Sequence, residues 1–145
     1  LGLSMQHDYR HLYRAVVESL AYEYKMYFDI IRETIPLDGC KPYVLSVGGG
    51  AKSALMNQIK ADVLGVPIRT LKNPDTGALG CGVIAGYGVG LYDSIPKTVD
   101  RLTVFQDEFI PDPQGREAYQ LYAAAYRKSF EHLRPLYTFL QKAQA

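Results

Sequence analysis

The sequence contains few of the residues that build metal centres and disulfide frameworks. Its two cysteines, Cys40 and Cys81, match no metal-ligand spacing and no disulfide framework, and its three histidines are scattered along the chain. Both thiols are therefore expected to be buried or inert in a reducing cytoplasm. No metal ligands are predicted in this sequence.

The sequence also lacks an excess of either charge and a long apolar run. Sixteen basic and 15 acidic residues give a net charge of +1, which favours neither nucleic-acid binding nor attachment to an anionic membrane surface. The apolar run over 77–91 is shorter than the about 20 residues of a membrane-spanning helix, and no signal-peptide pattern opens the sequence. A cytoplasmic domain with one core is expected.

The most informative feature is a run of three glycines, Gly48 to Gly50, which joins a strand pattern to a helical pattern. Glycine lets the backbone approach a ligand closely, and the first N–H groups of a helix have no partner within it. This arrangement predicts a binding site for a phosphorylated or nucleotide-like ligand. The candidate binding residues are Gly48, Gly49, Gly50, Ala51, Lys52 and Ser53.

Two standard phosphate-binding motifs fit this stretch incompletely. The P-loop requires glycines where Ser46 and Ala51 stand, so it is excluded. The dinucleotide fingerprint fits Gly48 and Gly50, but the acidic residue expected about 20 positions later is replaced by the basic and polar segment 67–73. A dinucleotide-binding oxidoreductase and a ligand-free structural turn are the two alternatives.

The hydrophobic spacing predicts a succession of helices and short strands. In order, they are a helix over 8–34, a turn over 36–42, a strand over 43–47, a helix from about 54, a strand over 66–71, a glycine-rich helix over 76–91, an extended segment over 102–110 and a final helix after Asp112-Pro113. The two strands should pair in parallel with a right-handed crossover.

Two helices carry further patterns. In the final helix, an aromatic stripe that includes Tyr119, Tyr122, Tyr126 and Phe130 is expected in the core, and Pro135 should end or kink the helix. The polar residues of the first helix form one stripe, which contains Arg14, Glu18, Lys25, Asp29 and Arg32. Apolar residues occupy most of the remaining circumference, so this helix should be covered on more than one side.

The segment from Gly48 to Pro67 resembles the adenosine-binding signature of the FGGY carbohydrate kinases, and is closest to that of the xylulose kinases. Segments 11–22 and 77–86 are similar to the helices on either side of it, and 119–126 looks like the family's closing helix. The resemblance implies an α/β fold, namely a partial actin-like (ribonuclease H-like) ATPase domain with a short parallel sheet packed by long helices. Residues 1–145 would be the C-terminal part of the second, nucleotide-binding domain, with the N-terminal domain absent.

The same resemblance implies ATP-dependent phosphorylation of a sugar hydroxyl, with a xylulose-type ketopentose as the expected acceptor. Residues 48–53 would bind ATP or ADP, Mg²⁺ would be held through the nucleotide phosphates without protein ligands, and the missing domain would bind the sugar. Ala54 and Met56 stand where xylulose kinases often carry proline and tryptophan. The identity of the sugar is therefore not determined by the resemblance.

The resemblance also places the catalytic aspartate upstream of Leu1. No catalytic residue is therefore assigned, and the chain alone is expected to be inactive. A homo-oligomer is expected, because missing strands would leave sheet edges and apolar surface uncovered. A non-catalytic actin-like module is a further alternative.

Overall fold

The computed structural model describes residues 2–35 and 41–143. The elements are α1 (Tyr9–Thr34), β1 (Val44–Ser46), a 3-10 helix (Gly49–Lys52), α2 (Ala54–Leu64), β2 (Ile68–Leu71), α3 (Thr76–Gly88), α4 (Ile95–Leu102), β3 (Phe105–Phe109) and α5 (Pro113–Ala143). The four longer predicted helices and both predicted strands are confirmed. Helix α4 was not predicted, and the predicted turn over 36–42 lies largely outside the described residues.

Capping side chains fix where the two longest helices begin. The carboxylate of Asp8 accepts hydrogen bonds from the backbone N–H groups of Arg10 and His11, at 3.0 and 3.3 Å. Asp112 caps α5 in the predicted way, since its carboxylate accepts from the N–H of Gln114 at 3.2 Å. The structure also shows that α5 continues through Pro135 to Ala143 rather than ending there.

The sheet contains three strands in the order β1-β2-β3. β1 and β2 are parallel, as predicted, with Val44 opposite Ile68. β3 pairs with β2 in the antiparallel direction, so the sheet is mixed and larger than the two-stranded parallel sheet that was expected. An ion pair of 2.5 Å between Arg69 Nε and Glu108 Oε1 links these two strands, and the Arg69 guanidinium lies 4.4 Å from the centre of the Tyr43 ring.

The core lies where α1, α2 and α5 meet. One cluster of buried residues joins the three helices, and it contains Val17, Ala21, Tyr22, Ile59, Val63 and Tyr119. The aromatic stripe of α5 enters the core only in part, because Tyr122 and Phe130 are 58% and 52% exposed. The prediction that this whole stripe is core was therefore wrong, since α5 is covered along one narrow face only.

The polar stripe of α1 faces α5. Glu18 accepts hydrogen bonds from Arg14 Nε at 2.6 Å, from the Tyr22 hydroxyl at 3.3 Å and from the Tyr119 hydroxyl at 3.3 Å. Further along the same interface, Arg127 of α5 pairs with Asp29 at 3.4 Å. The interface between α1 and α5 is thus a hydrogen-bonded network around buried tyrosines.

This network predicts how stability depends on alkaline pH. Burial, and then the charge of Glu18, raise the pKa of Tyr22 above its ordinary value. A phenol whose pKa is raised by folding stabilises the folded state fully below the pKa of the unfolded chain, about 10, and this contribution is lost as the pH rises further. We expect the free energy of unfolding, measured with urea, to fall above about pH 10. Tyr22→Phe should flatten that decline, and an equally steep decline in this variant would contradict the assignment.

One side of the molecule presents apolar side chains to solvent. Leu45 and Val47, at the edge strand β1, are 39% and 43% exposed. The apolar row of α1 is also exposed, and it contains Leu12, Val16, Leu20, Tyr24, Tyr27 and Ile31. Helix α1 is packed against both α2 and α5, but in the described residues this apolar row remains uncovered. Ile68 of the central strand β2 is fully buried, because β3 and α2 flank β2, so the uncovered apolar surface expected from missing strands does not include this residue.

We expect the 145-residue chain to form a dimer or a higher oligomer in which a second copy covers the edge of β1 and the apolar row of α1. An open strand edge beside a contiguous apolar surface favours association. Sedimentation velocity at micromolar concentration measures the state directly, with Leu45→Lys as the variant expected to shift it toward monomer. A well-folded wild-type monomer would contradict this expectation.

Candidate functional site

The glycine turn lies at the carboxyl end of β1, next to the carboxyl end of the parallel strand β2. Gly48 adopts a φ of 73°, which is in the left-handed region that favours glycine. Its N–H donates to the carbonyl of Pro74 at 2.8 Å, and Pro74 lies in the loop that precedes α3. The turn is thereby tied to the start of the next helix, and both are at the edge of the sheet where α/β proteins bind ligands.

Helix α2 begins at Ala54, as predicted, but the 3-10 segment between the turn and this helix was not predicted. The helix does not start directly after the glycines, because a 3-10 helix over Gly49–Lys52 intervenes and Ser53 is the N-cap of α2. The Ser53 hydroxyl oxygen accepts from the N–H of Met56 at 3.3 Å, so one donor of α2 is already satisfied. Its own O–H proton can still be donated to a ligand.

The backbone N–H groups of the turn that are available to a ligand are those of Gly49 and Gly50. In the part of the chain that the structure describes, neither N–H donates to a protein acceptor. A Cβ built on Gly48 or Gly49 would meet no atom within 4 Å. The turn therefore combines two available donors with open space, as an anion site requires.

The glycines of α3 fall into two groups. A Cβ on Gly86 would lie 2.6 Å from the Tyr92 ring, so close packing requires glycine there. Gly77 and Gly80, in the first turns of α3, have no atom within 4 Å of a built Cβ. Close packing therefore explains Gly86 but leaves Gly77 and Gly80 facing open space near the Pro74 loop.

A crevice of about 190 Å³ lies between the turn and the end of β2. Two cationic side chains contribute to it, Lys52 from the turn and Lys72 from the segment after β2. Sequence reasoning selected Lys52 and missed Lys72. The rule that ligands bind at the carboxyl ends of parallel strands would have pointed to Lys72, which directly follows β2.

Asn57 is a second residue that sequence reasoning missed. It is fully buried on the first full turn of α2, and its Nδ2 donates to the carbonyl of Ala51 at 2.8 Å. The signal for it in the sequence is an amide placed within the apolar pattern of Leu55, Met56 and Ile59. This hydrogen bond connects the helix with the 3-10 segment that carries the predicted site.

Lys60 lies behind the turn. Its Nζ is 5.1 Å from the centre of the Tyr24 ring and would be 3.9 Å from a Cβ on Gly50. Burial lowers the pKa of Lys60. This ammonium lines a groove of about 380 Å³ between α1 and β1, on the apolar side of the molecule and separate from the crevice at Lys52.

Two further observations concern metals and membranes. Among residues 2–35 and 41–143, no three or more His, Cys, Asp or Glu side chains come together as a metal site. Within those same ranges, no helix has the length and apolar character that crossing a bilayer requires. Cys81 is a free thiol and is exposed rather than buried, while Cys40 lies outside the described residues.

An α/β unit with an open glycine turn at the carboxyl ends of parallel strands is an arrangement found in ligand-binding α/β domains. A family model that describes the FGGY family of carbohydrate kinases, C-terminal domain, matches residues 1–89. The chain belongs to this family, as the resemblance in its sequence indicated.

The similar proteins are kinases that are named for different substrates. The autoinducer-2 kinase of Klebsiella pneumoniae subsp. pneumoniae is 49% identical over 73 residues, which are 50% of this chain and 14% of the relative. The xylulose kinase from Rhodospirillum rubrum superposes with a TM-score of 0.75 at 26% identity, and the match covers 95% of this chain and 28% of that one. The Plasmodium falciparum glycerol kinase with ADP shares the fold, with a TM-score of 0.68, 22% identity and coverage of 91% and 26%.

These matches confirm the predicted fold class, an α/β unit of the kind found in FGGY kinases. They also show that the chain spans only a small part of its relatives, between 14% of the curated kinase and 28% of the solved one.

Proposed function

We propose that this chain forms part of the ATP/ADP site of a kinase that phosphorylates a sugar hydroxyl. The observation that carries the proposal is the turn at Gly48–Gly50, at the carboxyl end of a parallel strand. There the N–H groups of Gly49 and Gly50 have no acceptor among the described residues, and a Cβ on Gly48 or Gly49 would meet no atom within 4 Å. ADP is named with one of the structural relatives, and the chain belongs to a carbohydrate-kinase family.

In this proposal, each residue of the turn has a defined task. The N–H groups of Gly49 and Gly50 donate to the nucleotide, and the absence of side chains allows it to approach the backbone. Lys52, together with Lys72 across the crevice, adds positive charge close to the phosphates. The O–H of Ser53 supplies a further donor beside Ala51.

Phosphoryl transfer depends mostly on positioning and charge stabilisation. Mg²⁺, where bound through the nucleotide phosphates, neutralises their charge, and no side chain of this segment is assigned as its ligand. The base that accepts the sugar proton and the sugar contacts are proposed to belong to other parts of a longer cytoplasmic kinase. Residues 1–145 would then be the C-terminal part of its nucleotide-binding domain.

Two acceptors are candidates for the sugar. Xylulose-type ketopentoses are favoured by the resemblance of the glycine segment and by the R. rubrum structure. Autoinducer-2 is favoured by the higher identity to the K. pneumoniae kinase, 49% over 73 residues. The glycine turn contacts only the nucleotide in this proposal, so it serves either acceptor equally.

A kinase assay on a longer polypeptide that carries this segment tests the proposal. With ATP as donor, ADP release should require either D-xylulose or autoinducer-2. Neither compound should be oxidised when NAD is supplied. Oxidation of either compound with NAD, without ADP release, would support the dinucleotide alternative. If neither ADP release nor oxidation with NAD is observed, the result would support a non-catalytic module.

A further inference from the structure

Asn57 is among the largest fully buried side chains of the molecule, together with Ile59 and Ile68. The other two are apolar, whereas Asn57 carries an amide, and an amide that leaves water without hydrogen bonds destabilises the fold. A buried position of this kind on α2 is normally filled by an apolar residue, so the amide needs a specific explanation.

The amide holds the 3-10 helix against α2. Its Nδ2 donates to the Ala51 carbonyl at 2.8 Å. The backbone bonds inside the turn are longer, with Ala51 N–H to the Gly48 carbonyl at 3.2 Å and Ser53 N–H to the Gly50 carbonyl at 3.4 Å. The side-chain bond is therefore shorter than these two backbone bonds, and it equals the 2.8 Å bond from the Gly48 N–H to the Pro74 carbonyl at the other end of the turn.

The other half of the amide does not stabilise the fold. Among the described residues, Asn57 Oδ1 is buried and has no hydrogen-bond partner. Leucine has a similar shape and would leave no unpaired acceptor at this position. Core stability alone therefore does not account for asparagine, while the bond to Ala51 does.

We infer that Asn57 is a positioning residue for the nucleotide: by holding the Ala51 carbonyl, it orients the N–H groups of Gly49 and Gly50 toward the ligand. This inference rests on the proposed nucleotide site. It adds a residue that does not touch the ligand and acts through the backbone of the turn.

Asn57→Leu separates positioning from stability. The variant removes the unpaired Oδ1 but leaves the Ala51 carbonyl without its donor, so the midpoint of thermal unfolding should change by less than about 5 °C. Calorimetric titration of the 145-residue chain with ADP should show binding weakened by about tenfold or more, because bonds to phosphate depend on donor direction.

Gln58→Leu is the matched control on the same helix. Gln58 Nε2 donates to Asp62 Oδ1 at 2.8 Å and to the Ile110 carbonyl at 2.9 Å, away from the turn. Its loss should lower the unfolding midpoint but leave the Kd for ADP within about twofold of wild type. Equal weakening of ADP binding in both variants would show a general loss of order and would overturn the inference.

Asn57→Asp tests whether protonation of the introduced carboxylate restores ADP binding. At pH 8, the ionised carboxylate has no proton to donate to Ala51, and ADP binding should be weak relative to wild type at the same pH. Burial raises the pKa of such a carboxyl, so near pH 5.5 its O–H can donate to the Ala51 carbonyl. The ratio of variant to wild-type Kd should then fall by about fivefold or more.

A measurement without nucleotide completes the test. In Asn57→Leu, the amide resonances of Gly49, Gly50 and Ala51 should shift, while those of α5 stay in place. If these resonances are unchanged, or if wild type binds ADP and Asn57→Leu binds it equally well, the inference is wrong and the proposed function stands. If wild type does not bind ADP at all, the proposed function fails and the inference fails with it.

Discussion

Replacing Gly49 by valine should raise the KM for ATP by about tenfold to a hundredfold, with the KM for the sugar nearly unchanged. A Cβ on Gly49 meets no protein atom within 4 Å, and its φ is not in the left-handed region. The valine side chain is therefore tolerated by the fold and occupies the space proposed for the nucleotide. The measurement is steady-state kinetics of a longer kinase that carries this segment, with ATP and the sugar varied separately.

Gly48→Ala is the contrasting variant for this experiment. Gly48 has a φ of 73° and a ψ of −162°, a conformation essentially restricted to glycine, so a Cβ strains the turn itself and should cost about 1–3 kcal/mol of folding stability. Gly49→Val should instead show unchanged circular dichroism and an unchanged unfolding midpoint. Normal folding of Gly49→Val together with unaltered ATP kinetics would mean that the glycine turn is purely structural.

The 145-residue chain by itself should transfer no phosphoryl group. Proton abstraction from a sugar hydroxyl requires a base near the γ-phosphate. The candidate nucleotide residues 48–53 include no carboxylate and no histidine. The measurement is ADP release from ATP with D-xylulose or autoinducer-2, in a preparation free of host kinases.

The control for this experiment is the same preparation carrying Gly49→Val. Background hydrolysis should be equal in the two samples, because neither has a catalytic base at the turn. Sugar-dependent ADP release by the wild-type chain that is lost in Gly49→Val would show that a complete active site is present in these residues.

The elements that the sequence predicted well are those with strong local signals. The βαβ unit of β1, α2 and β2 follows from two apolar strands on either side of an amphipathic helix. The start of α5 follows from Asp112 as N-cap and Pro113 at the first helical position. Such signals depend on neighbours within a few residues, so the chain itself is sufficient to determine them.

The missed features depend on tertiary contacts. β3 lies within the extended segment predicted over 102–110, but its pairing with β2 was not predicted. Four of its five residues are exposed, so the sequence shows no alternation that would place this segment in the sheet. The 3-10 helix over Gly49–Lys52 has no hydrophobic period, because glycines carry no side chains to display one. The apolar pattern around Asn57 indicates that this amide is buried, but its hydrogen bond to the Ala51 carbonyl depends on the packing of α2 against the turn, which the pattern does not reveal.

The apolar row of α1 shows a further limit of what a hydrophobic pattern in the sequence can predict. Its helical spacing predicted a covered surface, yet Val16 and Tyr27 are exposed in the described residues. The pattern reveals that a side is apolar, but it does not reveal which element or molecule covers it.

Titration of the isotopically labelled chain with ADP, followed by amide resonances, tests the nucleotide site most directly. The account predicts saturable shifts at Gly49, Gly50 and Ser53, with further shifts in the first turn of α3 near Gly77. NAD at the same concentrations should leave these resonances in place. ADP shifts that are absent from the glycine turn, or NAD shifts that are centred on it, would contradict the assignment of this turn to ATP and ADP.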